Sequence, residues 1–168
     1  MRRNTMVAAV LATCALGVAA CGGGSGGSSG GAATAGGGAA KAGGRAATTL
    51  KISKTDLGPI LTDGQGRTLY LFEKDKGPKS TCFGACAAAW PPLTASAKPN
   101  GTGAVALSKL TTVARSGGAP QVTYAGHPLY YYAGDSAAGQ TTGEGLKDFG
   151  AGWYVLSASG KKVDEDGS

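Results

Sequence analysis

The sequence has one histidine among its 168 residues, and charged side chains make up only 15% of it. Both shortages narrow the field. No Gly-x-Ser-x-Gly elbow, phosphate-binding glycine loop or dinucleotide fingerprint is present. With a single histidine and no acid pair in a shared context, general acid–base catalysis has little to work with, so the expectation is a protein that is not an enzyme. Its formal charge is +6, but the Lys and Arg residues are scattered and form neither a stripe nor a basic helix. That pattern argues against nucleic acid as a partner. A long apolar run is also missing. The longest, Met6 to Ala20, is too short and too alanine-rich to make a good spanning helix.

That run does fit a secretory signal. Arg2 and Arg3 supply the positive start, and Val18-Ala19-Ala20 places small side chains directly before Cys21. Small residues before a cysteine are what a lipoprotein signal peptidase requires, so residues 1–20 read as a cleaved signal and Cys21 as the lipidated first residue. Cys14 is a weaker site, because the branched Thr13 precedes it. The expected address is the extracytoplasmic face of a cell membrane, with the membrane itself a partner through the lipid.

Glycine is abundant, at 31 residues, and much of it lies in residues 21–47 with serine and alanine. Such a segment cannot bury a core and reads as a disordered tether. As a flexible coil it would span about 28 Å. The folded part is expected over residues 48–163, followed by an acidic tail at 164–168.

Inside the folded part the chain repeats. Gly66-Arg67-Thr68-Leu69-Tyr70-Leu71-Phe72-Glu73-Lys74-Asp75 aligns with Gly126-His127-Pro128-Leu129-Tyr130-Tyr131-Tyr132-Ala133-Gly134-Asp135 at an offset of 60 residues. Trp90-Pro91-Pro92-Leu93 aligns with Trp153-Tyr154-Val155-Leu156 at an offset of 63. Two copies of one unit, at about 57–93 and 120–156, account for this order. Alternating apolar runs separated by glycine turns predict hairpins: Ile60–Thr62 with Arg67–Phe72, Leu110–Arg115 with Gln121–Tyr124, and Gln121–Tyr124 with Leu129–Tyr132. Trp153–Leu156 and Lys161–Val163 form a last pair, and Cys82–Ala89 is the one helix-like stretch. The fold class is therefore mainly β, two tandem hairpin-type repeats in one small sandwich-like domain.

Tyr70-Leu71-Phe72-Glu73-Lys74-Asp75 and Tyr130-Tyr131-Tyr132-Ala133-Gly134-Asp135 resemble the Y-x-(F/W/Y)-x-x-D motif of bacterial secreted-repeat lipoproteins. Cys82 to Leu93 and Tyr124 to Tyr132 resemble that family as well. The resemblance implies an envelope lipoprotein, usually of unassigned activity. It leaves open what the module binds or supports.

The motif has two readings. Tyr70 and Phe72 share one strand face, as do Tyr130 and Tyr132. Asp75 and Asp135 follow the strands and can shape turns by accepting backbone N–H groups. Repetition favours this scaffold role. The alternative is a groove in which these six residues, with Trp90 and Trp153, bind a sugar or an aromatic small molecule from the envelope.

Cys82 and Cys86 remain once Cys14 and Cys21 are set aside. In an extracytoplasmic protein a close pair reads first as a disulfide. A copper or zinc site using Cys82, Cys86 and His127 is one alternative. A redox-active dithiol near Lys79 is the other. His127 occupies the position of Arg67 in the first copy and reads as a solvated strand start.

Overall fold

A computed structural model describes residues 48–163. The signal segment, Cys21, the 21–47 tether and the 164–168 tail lie outside the described residues.

The described chain is mainly β. Strand β1 (Thr49–Thr55) pairs antiparallel with β2 (Gly58–Asp63) across the two-residue turn Asp56-Leu57, and parallel with the short β4 (Asn100–Gly101). β3 (Tyr70–Phe72) pairs with β9 (Ala151–Val155), which also pairs with β8 (Lys147–Asp148). β5 (Leu110–Val113), β6 (Gln121–Tyr124) and β7 (His127–Pro128) form the third sheet. Helix α1 is one short turn, Ala85–Ala89, and a 3-10 turn covers Leu107–Lys109. Among the described residues no helix is long and apolar enough to cross a membrane.

The β5–β6 hairpin forms as the glycine turn at Ser116–Ala119 predicts. The other two predicted hairpins form only in part. Arg67 and Leu69 bond back to β2, through Asp63 N–H to Arg67 C=O (2.9 Å) and Leu69 N–H to Leu61 C=O (3.2 Å). The chain then leaves β2, and Tyr70 to Phe72 pair with β9 instead. The second copy does the same. Pairing with β6 reaches Leu129, whose N–H donates to Val122 C=O at 3.0 Å, and the chain then crosses to the first copy. There Tyr70 and Tyr130 exchange both backbone hydrogen bonds, at 2.9 and 3.0 Å.

The result is two repeats joined by exchanged segments. The tryptophan segment of the second copy pairs with the motif strand of the first. In return Pro91 C=O accepts from Tyr131 N–H (2.8 Å), and Leu93 N–H donates to Leu129 C=O (2.9 Å). β1 is not among the expected hairpins, although Leu50-Lys51-Ile52-Ser53 alternates apolar with polar residues as a half-buried strand does.

Both faces of the motif strands are covered. Leu69, Leu71 and Leu129 point into an aliphatic core with Leu50, Leu61 and Val122. Tyr70, Phe72 and Tyr130 point the other way, into an aromatic core with Trp90 and Trp153. The period-2 alternation of a strand sorts them. Each fully buried leucine or phenylalanine contributes about 1.5–3 kcal/mol relative to exposure.

Candidate functional site

The aromatic core sits on the join between the repeats. Trp90 and Trp153 stack face to face, with ring centroids 3.9 Å apart and planes 3° from parallel. Phe72 stacks on the outer face of Trp153 at 4.0 Å, and Tyr132 covers the outer face of Trp90 at 4.4 Å. Phe72 and Tyr132 are equivalent motif positions, and each covers the tryptophan of the other copy. Tyr70 meets the edge of Trp90 and Tyr130 the edge of Trp153, at 5.4 and 5.2 Å. The four-ring stack thus has an approximate two-fold axis between the indoles. Gly143 lets it close, because a Cβ there would sit 2.8 Å from the Trp90 ring.

The motif polar groups follow the same symmetry. The Tyr70 hydroxyl donates to Asp135 Oδ2 at 2.7 Å, and the Tyr130 hydroxyl donates to Asp75 Oδ2 at 2.6 Å. Each motif aspartate therefore takes its tyrosine from the other repeat. Its remaining oxygen holds its own loop. Asp75 Oδ1 accepts from Thr81 N–H and Oγ1–H, both at 2.7 Å. Asp135 Oδ1 accepts from Thr142 N–H at 3.0 Å and Oγ1–H at 2.5 Å. Burial, then the adjacent carboxylate, pushes both tyrosine phenols far above their ordinary range, so they stand as donors.

This geometry corrects the expected groove. Tyr70, Trp90, Tyr130 and Trp153 are 0% exposed and Phe72 is 1% exposed. Asp75 is buried as well, while Tyr132 and Asp135 are half-buried. The structure brings all eight residues together as a packed core, in which only Tyr132 and Asp135 are more than slightly exposed. Period-2 alternation placed the aromatic residues on one face; it carried no information that this face was covered.

Cys82 and Cys86 form a disulfide. Its sulfurs are therefore not available as thiolates, and among the described residues no group of three His, Cys, Asp or Glu is gathered for a metal. That removes the ligand set proposed for copper, which required both thiolates and His127 together. The disulfide packs in the aromatic core. Arg115 holds its loop in place. The guanidinium donates to Cys82 C=O, to Ser80 Oγ (2.5 Å) and to Gln121 Oε1 (2.7 Å), and lies 4.3 Å from the Phe83 ring centroid.

Sequence reasoning missed Thr81, Thr142 and Arg115. The threonines had a signal, since a threonine follows each motif aspartate by six or seven residues. Arg115 had none. A second polar cluster was also missed. Buried Asp63 accepts from Arg67 Nε (2.8 Å) and the Tyr131 hydroxyl (3.0 Å), and the guanidinium lies 4.0 Å over the Tyr131 ring. His127, at the equivalent position, has neither an acid partner at that spacing nor a ring beneath it. It is half-buried, and burial holds its imidazole below its ordinary pKa against an opposing pull from Asp75.

A family model described as a secreted repeat of unknown function matches residues 51–94 and 111–157, more than half of the chain. Each match contains one copy of the motif and its tryptophan. No curated protein and no solved structure matches the chain.

Proposed function

This chain belongs to the family of secreted repeats of unknown function, and on that premise we propose that it is a lipid-anchored module at the extracytoplasmic face of the cell membrane, acting by support or binding and not by catalysis. The Cys82–Cys86 disulfide carries this reading. A structural disulfide belongs to an oxidising compartment. With that pair joined and Cys14 inside the signal, Cys21 is left as the residue for the lipid. A non-catalytic role is favoured by how the motif is used: its carboxylates and phenols bond to one another across the repeat join.

Metabolic labelling with an alkyne fatty acid, followed by mass spectrometry of the N-terminal peptide, tests the anchor. The expected product begins at Cys21, carries the lipid mass and stays with the membrane fraction; Cys21→Ser loses the label. A mature protein with an unmodified Cys21 overturns the proposal.

A further inference from the structure

The cluster around Asp63 takes no part in the motif, and it stands at the wall of a depression. That depression has a volume of about 480 Å³, within the roughly 300–1,000 Å³ of small-molecule sites. Asp63, Gln65, Arg67 and Tyr131 border it on one side, with Thr48 and Thr94 from neighbouring segments. None of the eight residues of the expected aromatic groove lies along it.

The buried Asp63 carboxylate organises this wall. Its Oδ1 accepts from the N–H groups of Gln65 (3.0 Å) and Arg67 (2.9 Å), and its Oδ2 accepts from Arg67 Nε and the Tyr131 hydroxyl. Arg67 Nη2 donates to that same hydroxyl at 2.9 Å. The guanidinium is thus held by a carboxylate at one edge and by a ring face beneath it. Its Nη1 makes no hydrogen bond among the described residues, and the side chain is 56% exposed. The strand turn does not require this arrangement. In the second repeat Thr123 and His127 stand at the positions of Asp63 and Arg67, and Tyr124 pairs directly with His127 across Ala125-Gly126. Burying a carboxylate costs desolvation, and the second repeat closes its turn without one.

The remaining groups set the chemistry. Gln65 and Thr94 are exposed, and neither side chain has a hydrogen-bond partner among the described residues. The Thr48 hydroxyl donates to Thr94 C=O at 3.4 Å and keeps its capacity to accept. The amide and the hydroxyls both give and take hydrogen bonds, while Arg67 only gives. The charge of Arg67 is already matched by Asp63 at 2.8 Å, and no lysine borders the depression. An anion would bring acceptors alone, to a cation that is already paired. A flat aromatic ligand would meet a single ring, Tyr131, with a guanidinium over its face. A sugar hydroxyl is donor and acceptor at once, which is what this mixed, neutral set can match.

We propose that this depression binds a neutral saccharide, with Arg67 Nη1 donating to a sugar oxygen and the Gln65 amide and Thr94 hydroxyl exchanging hydrogen bonds with its hydroxyl groups. This gives the binding role a ligand class, and it holds whether or not Cys21 carries a lipid, which the labelling experiment decides separately.

Saturation-transfer NMR on the full-length protein tests it, with maltose, cellobiose and N,N′-diacetylchitobiose as probes and benzoate as the anionic control. At least one disaccharide is expected to give a saturable signal and to shift the Arg67 Nε–H resonance, and benzoate to do neither. Arg67→Lys keeps the charge but loses the planar fork, and should weaken binding about tenfold or more. Gln65→Ala, at an exposed turn position whose side chain supports nothing else, should weaken it about threefold or more. His127→Gln should leave it unchanged. No saturable response to any of the three disaccharides overturns the proposal, as does equal binding of benzoate, undiminished affinity in either wall variant, or an equal loss in His127→Gln.

Discussion

In the first repeat the tryptophan is followed by Pro91 and Pro92; in the second, by Tyr154 and Val155. Proline has no N–H to donate, so it cannot serve a continuous ladder. The second copy makes strand β9, bonded on both edges, while the first makes only an isolated bridge, Pro92 to Tyr130, and the flanking bonds of Pro91 and Leu93. Yet the side chains keep their two-fold arrangement: Trp90 and Trp153 stack almost parallel, and each motif tyrosine reaches the opposite aspartate. The shared element of the two repeats is thus the buried aromatic and carboxylate set. Backbone pairing and surface are where they diverge, because burial tolerates little change in volume and the periphery tolerates much.

The sharpest break of this comparison is at the indoles. Trp90→Ala and Trp153→Ala should each cost about 3–5 kcal/mol by the cavity they leave. Because the rings touch, the double variant should cost less than the sum by about 0.5–3 kcal/mol. Denaturant unfolding of the four proteins checks this; strict additivity would mean that the stack is not one unit.

The tyrosines come next, and here the copies should differ. Tyr130→Phe leaves the buried Asp75 carboxylate short of a donor and should cost about 1.5–3 kcal/mol. Tyr70→Phe should cost about 1 kcal/mol, since half-buried Asp135 can be met by water instead. Equal losses in thermal unfolding would contradict the burial difference.

A smaller effect lies in the turns. Phe149, 42% exposed at the tip of the β8–β9 hairpin, has φ +55°, a region that bulky residues rarely adopt. Its counterpart in the β6–β7 hairpin is Ala125, at φ +51°. Phe149→Asn should raise stability by about 0.5–1 kcal/mol, because asparagine accepts this conformation and the Phe ring gives up little burial. Chemical denaturation reads it; a loss instead would show that the exposed ring packs usefully.

The smallest effect is at His127. Its folded pKa lies below the unfolded value of about 6.5. The unfolded chain therefore binds the proton more readily, and stability rises with pH across this window. The contribution is present above about pH 6.5 and is lost as pH falls through the lowered folded value. His127→Gln should flatten this segment of the stability–pH curve, while Arg67→Gln, at the matching position of the other copy, should not. An unchanged slope in His127→Gln would remove histidine as its source.

Much of this was legible along the chain. The repeat offsets, the alternation of Tyr70 with Leu71 and of Tyr130 with Tyr131, and the turn at Ser116–Ala119 are local patterns, and the strands follow them. The pairing of Cys82 with Cys86 follows from spacing and compartment. Other features had no local trace. Leu69 and Leu129 look like mid-strand residues, yet pairing changes partner just beyond each of them. Asp75 and Asp135 read as turn residues, which they are, but their tyrosine donors lie more than fifty residues away.

The sequence by itself determined the two units, the mainly β character and the face on which each motif side chain lies, because strand periodicity and turn chemistry act over a few residues. The tertiary structure alone decided that the repeats exchange segments, that both faces of the motif strands are buried, and that the aromatic residues form a core and not a groove. Those outcomes depend on which distant surfaces meet. Alternation marks two faces of a strand, but only packing determines whether either of them meets water.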